Sequence, residues 1–304
     1  MGERWLLTGG GGQLARALLS HWAKLGIDAE FVITARPSPA AADTRAAIDL
    51  TDIPALRRLL ETVRPDRIFH CAALSRPGDA MLHPVAAWAV HRDAAACIAD
   101  YAEAHDAWAL HCSTDFVFDG ARDGLHDESC PAAPRTLYGA TKLAGEQAML
   151  RRQGCLVARL SLMHPSPDER PPATGWGAVL QRLHAGAEVT GVTDELRTPL
   201  SFAEAAALLT RLALENRTGL VHVGGAKVLS PFALIERLRA AIGSRSAIVP
   251  VTRASLGGAI ERPANVALDS RRLRGWLAER RPMPAFRAAA GRLRQANETA
   301  AHAL

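Results

Sequence analysis

Arg4-Trp5-Leu6-Leu7-Thr8-Gly9-Gly10-Gly11-Gly12-Gln13-Leu14-Ala15 decides the fold of this 304-residue chain. A short apolar run enters four glycines, and behind them Leu14, Leu18, Leu19, Trp22 and Leu25 recur at helical spacing. The pattern is strand, tight turn, helix. Read as G-x-x-G-x-x-A, it gives Gly9 the turn, lets the backbone at Gly12 approach a pyrophosphate, and packs helix on strand at Ala15. The amides of Gly11, Gly12, Gln13 and Leu14 then face phosphates at a helix N-terminus. Four glycines also suit a plain flexible loop; their place directly after a first strand favours the dinucleotide reading.

Outward from this unit the pattern repeats. Glu30-Phe31-Val32-Ile33-Thr34 reads as the second strand, ending at Thr34-Ala35-Arg36-Pro37. An NAD site usually offers an acid here to the ribose 2′-hydroxyl. None is in place, and the planar fork of Arg36 suits a 2′-phosphate. NADP(H) is therefore expected over NAD(H), against the alternative of one loop arginine in an arginine-rich chain. Thr51-Asp52-Ile53-Pro54 starts an amphipathic helix through Val63, and Pro65-Asp66-Arg67 leads into the strand Ile68-Phe69-His70-Cys71. On the next loop Arg76 either meets substrate phosphates or is simply solvated. A helix from about Pro84 to His105 follows, then the apolar run Ala107 to Cys112. Alternating strands and helices predict an α/β fold: a Rossmann-type doubly wound parallel sheet with a smaller C-terminal α/β substrate domain. The boundaries expected are 1–162 for the NADP-binding part, joined by a returning segment near 197–224, and 163–304 mainly for substrate.

Composition narrows the classes. The chain is 48% hydrophobic and 22% charged, which excludes extended disorder. No apolar stretch is long enough to span a bilayer, and the opening residues break into glycines before a signal-peptide core develops. A cytoplasmic protein without a membrane partner is expected. Five cysteines (Cys71, Cys97, Cys112, Cys130 and Cys155) match no zinc spacing, so free thiols and no metal are expected. The net charge of +5 comes from arginines dispersed among acids, with 5% aromatic residues and no binding motif, which argues against nucleic acid. The densest basic stretch, Arg271 to Arg294, reads as a solvated helical face.

The chemistry concentrates between Ser113 and Lys142. Tyr138-Gly-Ala-Thr-Lys142 puts a phenol and an ammonium four residues apart, on one face of a helix. A tyrosine of pKa about 10 becomes a useful acid-base group near neutrality when a nearby positive charge stabilises its phenolate, and Lys142 is placed to supply that charge. With only two tyrosines and three lysines in the chain, such spacing is rarely accidental. Ser113 and Thr114 close the preceding apolar run, so their hydroxyls are expected at the carboxyl end of a strand, where open α/β sheets bind ligands.

The run Ser113-Thr114-Asp115-Phe116-Val117-Phe118-Asp119-Gly120, the Tyr138-x-x-x-Lys142 followed by Leu143-Ala144-Gly145-Glu146, and Arg262-Pro263-Ala264-Asn265-Val266-Ala267-Leu268-Asp269 resemble the extended short-chain dehydrogenase/reductases. The dTDP-4-dehydrorhamnose reductase branch is the nearest match. The resemblance is strongest over residues 5–160 and weak over 161–196. It implies catalytic Thr114, Tyr138 and Lys142. Thr114 would orient a carbonyl, Tyr138 protonate the developing alkoxide, and Lys142 lower the tyrosine pKa and hold the nicotinamide ribose. It also implies that Asp49-Leu50 lies against the adenine and that Cys71-Ala72-Ala73 runs beside the second ribose and nicotinamide. Asp115, Arg197 in its Arg-Thr-Pro segment, and Arg262 would face substrate, with an arginine that fixes the interdomain loop as the other reading of Arg262. His91 stands where relatives carry an asparagine that holds the catalytic lysine and a relay water. A structural imidazole and a proton shuttle are both open.

Past the catalytic helix, Ser161-Leu162-Met163-His164-Pro165 lacks the aromatic residue and the glycine that the sugar reductases keep, and a proline-rich loop follows to Thr174. Helices near Trp176–Ala185, Phe202–Leu214 and Ser230–Ile242, and strands at Glu188–Val192 and Leu220–Val223, complete the reading. The function implied is NADPH-dependent reduction of a keto group, the 4-keto group of a nucleotide-linked 6-deoxysugar first. Alternatives are a non-sugar carbonyl and an NADP-binding regulatory subunit resembling the β subunit of methionine adenosyltransferase. Relatives of this kind often form homodimers.

Overall fold

The glycine-rich stretch forms the turn between β1 (Glu3–Thr8) and α1 (Gln13–Leu25). The computed structural model describes residues 2–36, 46–169, 171–172, 174–257 and 261–279. In chain order follow β2 (Ala29–Ala35), β3 (Ala46–Ala47), α2 (Ile53–Val63), β4 (Arg67–His70), α3 (Pro77–Leu82), α4 (Pro84–Trp88), a π-helical turn (Ala89–Asp93), α5 (Ala94–His105) and β5 (Trp108–Thr114). Then come α6 (Leu137–Leu150), β6 (Cys155–Leu160), β7 (Met163–His164), α7 (Trp176–His184), β8 (Val189–Val192), β9 (Leu200–Ser201), α8 (Phe202–Leu214), β10 (Gly219–Val223), α9 (Pro231–Ala241), β11 (Ile248–Val251) and α10 (Arg271–Ala278).

The main sheet among these residues has seven strands in the order β10-β6-β5-β4-β1-β2-β3, every pair parallel. Strand order reverses between β1 and β4, which makes their carboxyl ends the crevice where such sheets take a dinucleotide. α1 and α8 cover one face. Trp5, Trp22, Phe31 and Phe69 interlock there, Trp22 stacked on Phe31 at 5.1 Å, and Trp22 donates its indole N–H to Thr210 of α8 at 2.8 Å. Each of these buried rings is worth roughly 1.5–3 kcal/mol. α2, α5 and α6 cover the other face through Leu56, Leu59, Leu60, Ile98 and Met149. The Asp52 carboxylate caps α2 by accepting from Ala55 N, as its helix-start signal predicts. The returning segment expected near 197–224 supplies β9, α8 and β10, and β10 adds to the sheet edge beside β6. A smaller parallel pair, β8 with β11, lies with α7 and α9 around Leu183, Leu234 and Leu238, while β7 with β9 places Met163 and Leu200 in the core beside α8.

One buried polar cluster ties α6 to the sheet. The Arg159 guanidinium meets both Glu146 carboxylate oxygens at 2.7–3.1 Å, Ser113 Oγ donates to the same carboxylate, and Glu146 and Arg159 are both buried. Glu146→Ala leaves that guanidinium buried and unpaired. We expect a loss of about 3–5 kcal/mol, against a smaller one for Glu146→Gln, read by urea unfolding; equal stability of all three proteins would remove the argument.

Candidate active site

Gly9 follows β1 with φ +75, and a Cβ there would lie 2.7 Å from the amide nitrogen of Ala72. Only glycine lets the turn and the loop after β4 approach so closely. Gly12 precedes α1 in extended conformation and no side chain caps the helix, which leaves its first amides directed at the crevice. Gln13 Oε1 and Thr34 Oγ1 are buried without hydrogen-bond partners among the described residues. A cradle closed to any Cβ, an uncapped helix start and orphaned polar atoms fit a dinucleotide. Arg36 is exposed just past β2, near Asp49, whose carboxylate accepts from Thr51 N and Oγ1. That Thr51 amide bond leads in holding Asp49 below the usual carboxylate range, opposed by partial burial and helped by Arg36. Leu50 packs into the core behind it. Across the crevice Cys71, Ala72 and Ala73 line the loop after β4, with Ala72 N donating to Thr8 Oγ1 at 3.2 Å and Cys71 Sγ 3.5 Å from Cys112 Sγ.

The reactive groups converge at the end of β5. Thr136 caps α6 by accepting from Gly139 N, and Gly139 has no room for a Cβ against the Phe116 carbonyl. The first turn of α6 therefore sits on the turn after β5, which brings Tyr138 beside Thr114, whose hydroxyl donates to Asp115 Oδ1 at 3.3 Å. Tyr138 and Lys142 are both buried. Burial pushes the Tyr138 phenol up to about 12, opposed by the neighbouring Thr114 hydroxyl, and pushes the Lys142 ammonium down to about 8. The charges that act most on the phenol come from Asp115 and Arg197, and burial outweighs both.

Two further expectations change. Ser113 and Thr114 are successive residues of one strand, so their side chains point to opposite faces. Thr114 faces Tyr138, whereas Ser113 joins the Glu146–Arg159 cluster. Asp115 and Arg197, expected to touch substrate, are buried against each other: Arg197 Nη2 is 2.5 Å from Asp115 Oδ1 and Nε 2.6 Å from Oδ2. With each other's charge satisfied inside the protein, neither side chain is free to reach a ligand. Glu195, which sequence reasoning did not single out although it stands two residues before Arg197, takes Arg197 Nη1 at 3.0 Å and Arg262 Nη2 at 2.6 Å. Arg262 is half-buried on that carboxylate, and Arg76 is exposed at the start of α3.

His91 lies on the π-helical turn. Its Nε2 accepts from Leu74 N at 2.9 Å, so its proton is on Nδ1 and is donated to Thr141 Oγ1 at 2.8 Å. Thr141 donates on to carbonyls at the start of α6. Both nitrogens thus serve as a tie between the loop after β4 and the residue before Lys142, and burial and the nearby Lys142 charge push the imidazole down to about 2. That is a structural imidazole. Of the stretch Arg271 to Arg294, α10 carries exposed Arg271, Arg272 and Arg274, and the part past Glu279 lies outside the described residues. Among the described residues no helix is long and apolar enough to cross a membrane, and no group of three or more His, Cys, Asp or Glu is placed to hold a metal ion.

Comparison with known proteins adds a family. The family model described as RmlD substrate binding domain matches residues 3–297. The dTDP-4-dehydrorhamnose reductase of Mycolicibacterium smegmatis is 29% identical over 248 residues, covering 80% of this chain and 71% of that protein. Methionine adenosyltransferase 2 subunit beta of Bos taurus is 28% identical over 284 residues, covering 89% and 81%. The crystal structure of dTDP-4-dehydrorhamnose reductase from Bacillus anthracis in complex with NADP superposes with a TM-score of 0.78 at 24% identity, covering 94% of this chain and 96% of that one, and shows the shared fold.

Proposed function

This chain belongs to the RmlD substrate binding domain family, within the extended short-chain dehydrogenase/reductases, and from that membership we propose that it is an NADPH-dependent reductase of the 4-keto group of a nucleotide-linked 6-deoxysugar. It is an oxidoreductase that uses a nicotinamide cofactor. The observation that carries the reading is the meeting of Thr114, Tyr138 and Lys142 at the carboxyl end of β5, beside the glycine turn.

In this reading Gly9, Gly11, Gly12, Gln13 and Leu14 hold the pyrophosphate, Arg36 the 2′-phosphate, Asp49 and Leu50 border the adenine, and Cys71, Ala72 and Ala73 border the nicotinamide half. The bound nicotinamide supplies the hydride. Thr114 Oγ1 holds the substrate carbonyl oxygen, Tyr138 gives its hydroxyl proton to that oxygen as negative charge develops, and the Lys142 ammonium stabilises the phenolate left behind while holding the ribose. A phenol pushed up to about 12 is fully protonated at neutral pH, the form an acid needs. Residues 1–162 with the returning segment form the cofactor unit, and the remainder of 163–304 shapes the sugar pocket, where Arg76 and Arg262 are the cations left to meet a diphosphate.

NADPH and NADH oxidation with dTDP-4-keto-6-deoxyhexoses tests this. Turnover faster with NADPH supports it. Arg36→Ala should raise the KM for NADPH about tenfold, the cost of one charged hydrogen bond, and leave NADH nearly unchanged. Equal effects on both cofactors would remove Arg36 from the 2′-phosphate.

A second reading, an NADP-binding regulatory subunit, is favoured by the length over which the bovine methionine adenosyltransferase subunit matches. Tight NADPH binding without sugar reduction, together with co-purification of a synthetase, would select it. Reduction of a non-sugar carbonyl is the third, and rests on Leu162-Met163-His164-Pro165, where β7 lacks the aromatic residue and the glycine of the sugar reductases.

A further inference from the structure

We propose that Cys71 and Cys112 close into a reversible disulfide when a hydroperoxide reaches the crevice, and that closure weakens the hold on the dinucleotide. The second clause rests on the reading of the loop after β4 as the border of the nicotinamide half. The two sulfurs lie 3.5 Å apart, in S–H···S contact. β4 and β5 pair in parallel with His70 opposite His111, so Cys71 and Cys112 stand one step further along neighbouring chains. Neighbouring strands run roughly 4.8 Å apart, and a disulfide accepts Cα separations of about 4.4–6.8 Å. Little backbone movement is therefore needed to bring the sulfurs to a bond length of about 2.05 Å. The other thiols are differently placed. Cys130 bonds with Arg122 and Asp127, and Cys97 and Cys155 are buried on the sheet face that α2, α5 and α6 cover.

Exposure orders the steps, since Cys71 is half-buried and Cys112 buried. The Cys71 thiolate attacks one peroxide oxygen, the O–O bond breaks, and the leaving oxygen takes a proton, which leaves Cys71 as the sulfenic acid. Cys112 then gives up its proton and attacks the Cys71 sulfur, the S–O bond breaks, and the hydroxyl departs as water. Two thiols thus lose two electrons and two protons, and the peroxide bond takes them up. The Cys112 bond first, and burial second, hold the Cys71 thiol well above its ordinary value, with the Lys142 ammonium opposing. The first step is accordingly slow near neutrality, because the thiolate is the attacking form. The second is fast, because the partner is already in place. Closure also has a route to the cofactor. Ala72, the next residue, donates its N–H to Thr8 Oγ1 at 3.2 Å, and a Cβ on Gly9 would lie 2.7 Å from that nitrogen and 3.0 Å from the Cys71 carbonyl carbon. The loop and the glycine turn have no slack between them, so even a small shift at Cys71 is passed to the backbone that would cradle the pyrophosphate. Cys112 stands two residues before Thr114, on the same face of β5.

The test treats the full chain with hydrogen peroxide, with and without NADP+, alkylates the remaining thiols, and maps the peptides by mass spectrometry. The peptide containing Cys71 should be found linked to the one containing Cys112, with fragment spectra separating Cys112 from Cys97, and dithiothreitol should release both. NADP+ at about ten times its dissociation constant should slow the linking about tenfold, because only the free protein is open to the oxidant. The linked protein should bind NADPH about tenfold more weakly than the reduced protein, and dithiothreitol should restore the affinity. Cys112→Ala should give no linked peptide and keep its affinity through the same treatment. If Cys112→Ala does not fold, the linked peptide of the parent protein and the affinity regained on its release still decide. No link under peroxide, a linked protein that binds NADPH as the reduced one does, or an equal loss of affinity in treated Cys112→Ala overturns the proposal. Failure of the untreated protein to bind NADPH would instead sink the dinucleotide reading.

Discussion

Tyr138→Phe is expected to lower turnover by about 10² to 10⁴ while leaving cofactor affinity within about twofold of the parent protein. The substitution removes one oxygen and keeps the ring, and the ring is what the packing uses: Tyr138 lies edge-on to both His91 and Phe116. With that packing kept, the protein stays folded and the kinetic effect can be read cleanly. What is lost in the reaction is a proton donor beside Thr114 that burial keeps protonated through the neutral range. Lys142, pushed down to about 8, lies one helical turn away. Steady-state rates with a reducible substrate and NADPH titration of the resting protein make the comparison. A loss of less than about threefold would take the acid role from Tyr138. A matching loss in NADPH affinity would mean that the hydroxyl serves binding instead.

The parts of this site legible in the sequence are those whose geometry is local. Gly9 and Gly12 announce a turn that only glycine fits, and Tyr138 and Lys142 announce themselves through helical spacing, because a helix converts four residues of sequence into one face. The strands were readable for a similar reason: runs such as Cys155–Leu160 are apolar throughout, as buried parallel strands must be. What the sequence concealed is pairing at a distance. Asp115 and Arg197 stand 82 residues apart, and no local pattern says that each will neutralise the other inside the fold. The resemblance, which treats each by its own motif, turns both toward substrate. Ser113 is a different case, since strand alternation alone excludes it from the face that Thr114 occupies. The π-helical turn at Ala89–Asp93 has no proline or glycine to mark it, yet it places His91 so that one imidazole reaches both Leu74 and Thr141.

Acid should unfold this protein earlier than its paired carboxylates alone would require. His70, His91, His111 and His222 are buried, and burial holds all four far below the ordinary value of 6.5, His70 and His222 at about 3 and His91 at about 2. Their hydrogen bonds demand the neutral ring: His91 Nε2 must accept from Leu74 N, and His70 sits with its nitrogens on Thr8 Oγ1 and the Val90 carbonyl. The unfolded chain takes up these protons as pH falls below about 6.5, whereas the folded chain does not until about 3. The unfolded state therefore binds more protons across that window, so the stabilisation is complete above about 6.5 and is lost progressively toward 3. Each histidine removes about 1.4 kcal/mol per pH unit, and four together about 5.5. Asp115 runs the other way, since burial raises its carboxyl despite Arg197, but one group offsets only part of four. Against a total stability of about 5–15 kcal/mol, the midpoint falls near pH 4 to 5. Urea unfolding from pH 8 to 4.5 measures the slope, and a flat profile would contradict the buried neutral rings. His111 offers the sharper control. Neither of its ring nitrogens has a hydrogen-bond partner among the described residues, and it stacks on His70 at 5.4 Å, so His111→Leu sacrifices no such bond and should reduce proton uptake on acid unfolding by one. The other three rings, which hold Thr8, Val90, Leu74, Thr141 and the His126 carbonyl, keep the remaining acid sensitivity because the fold needs their neutral forms.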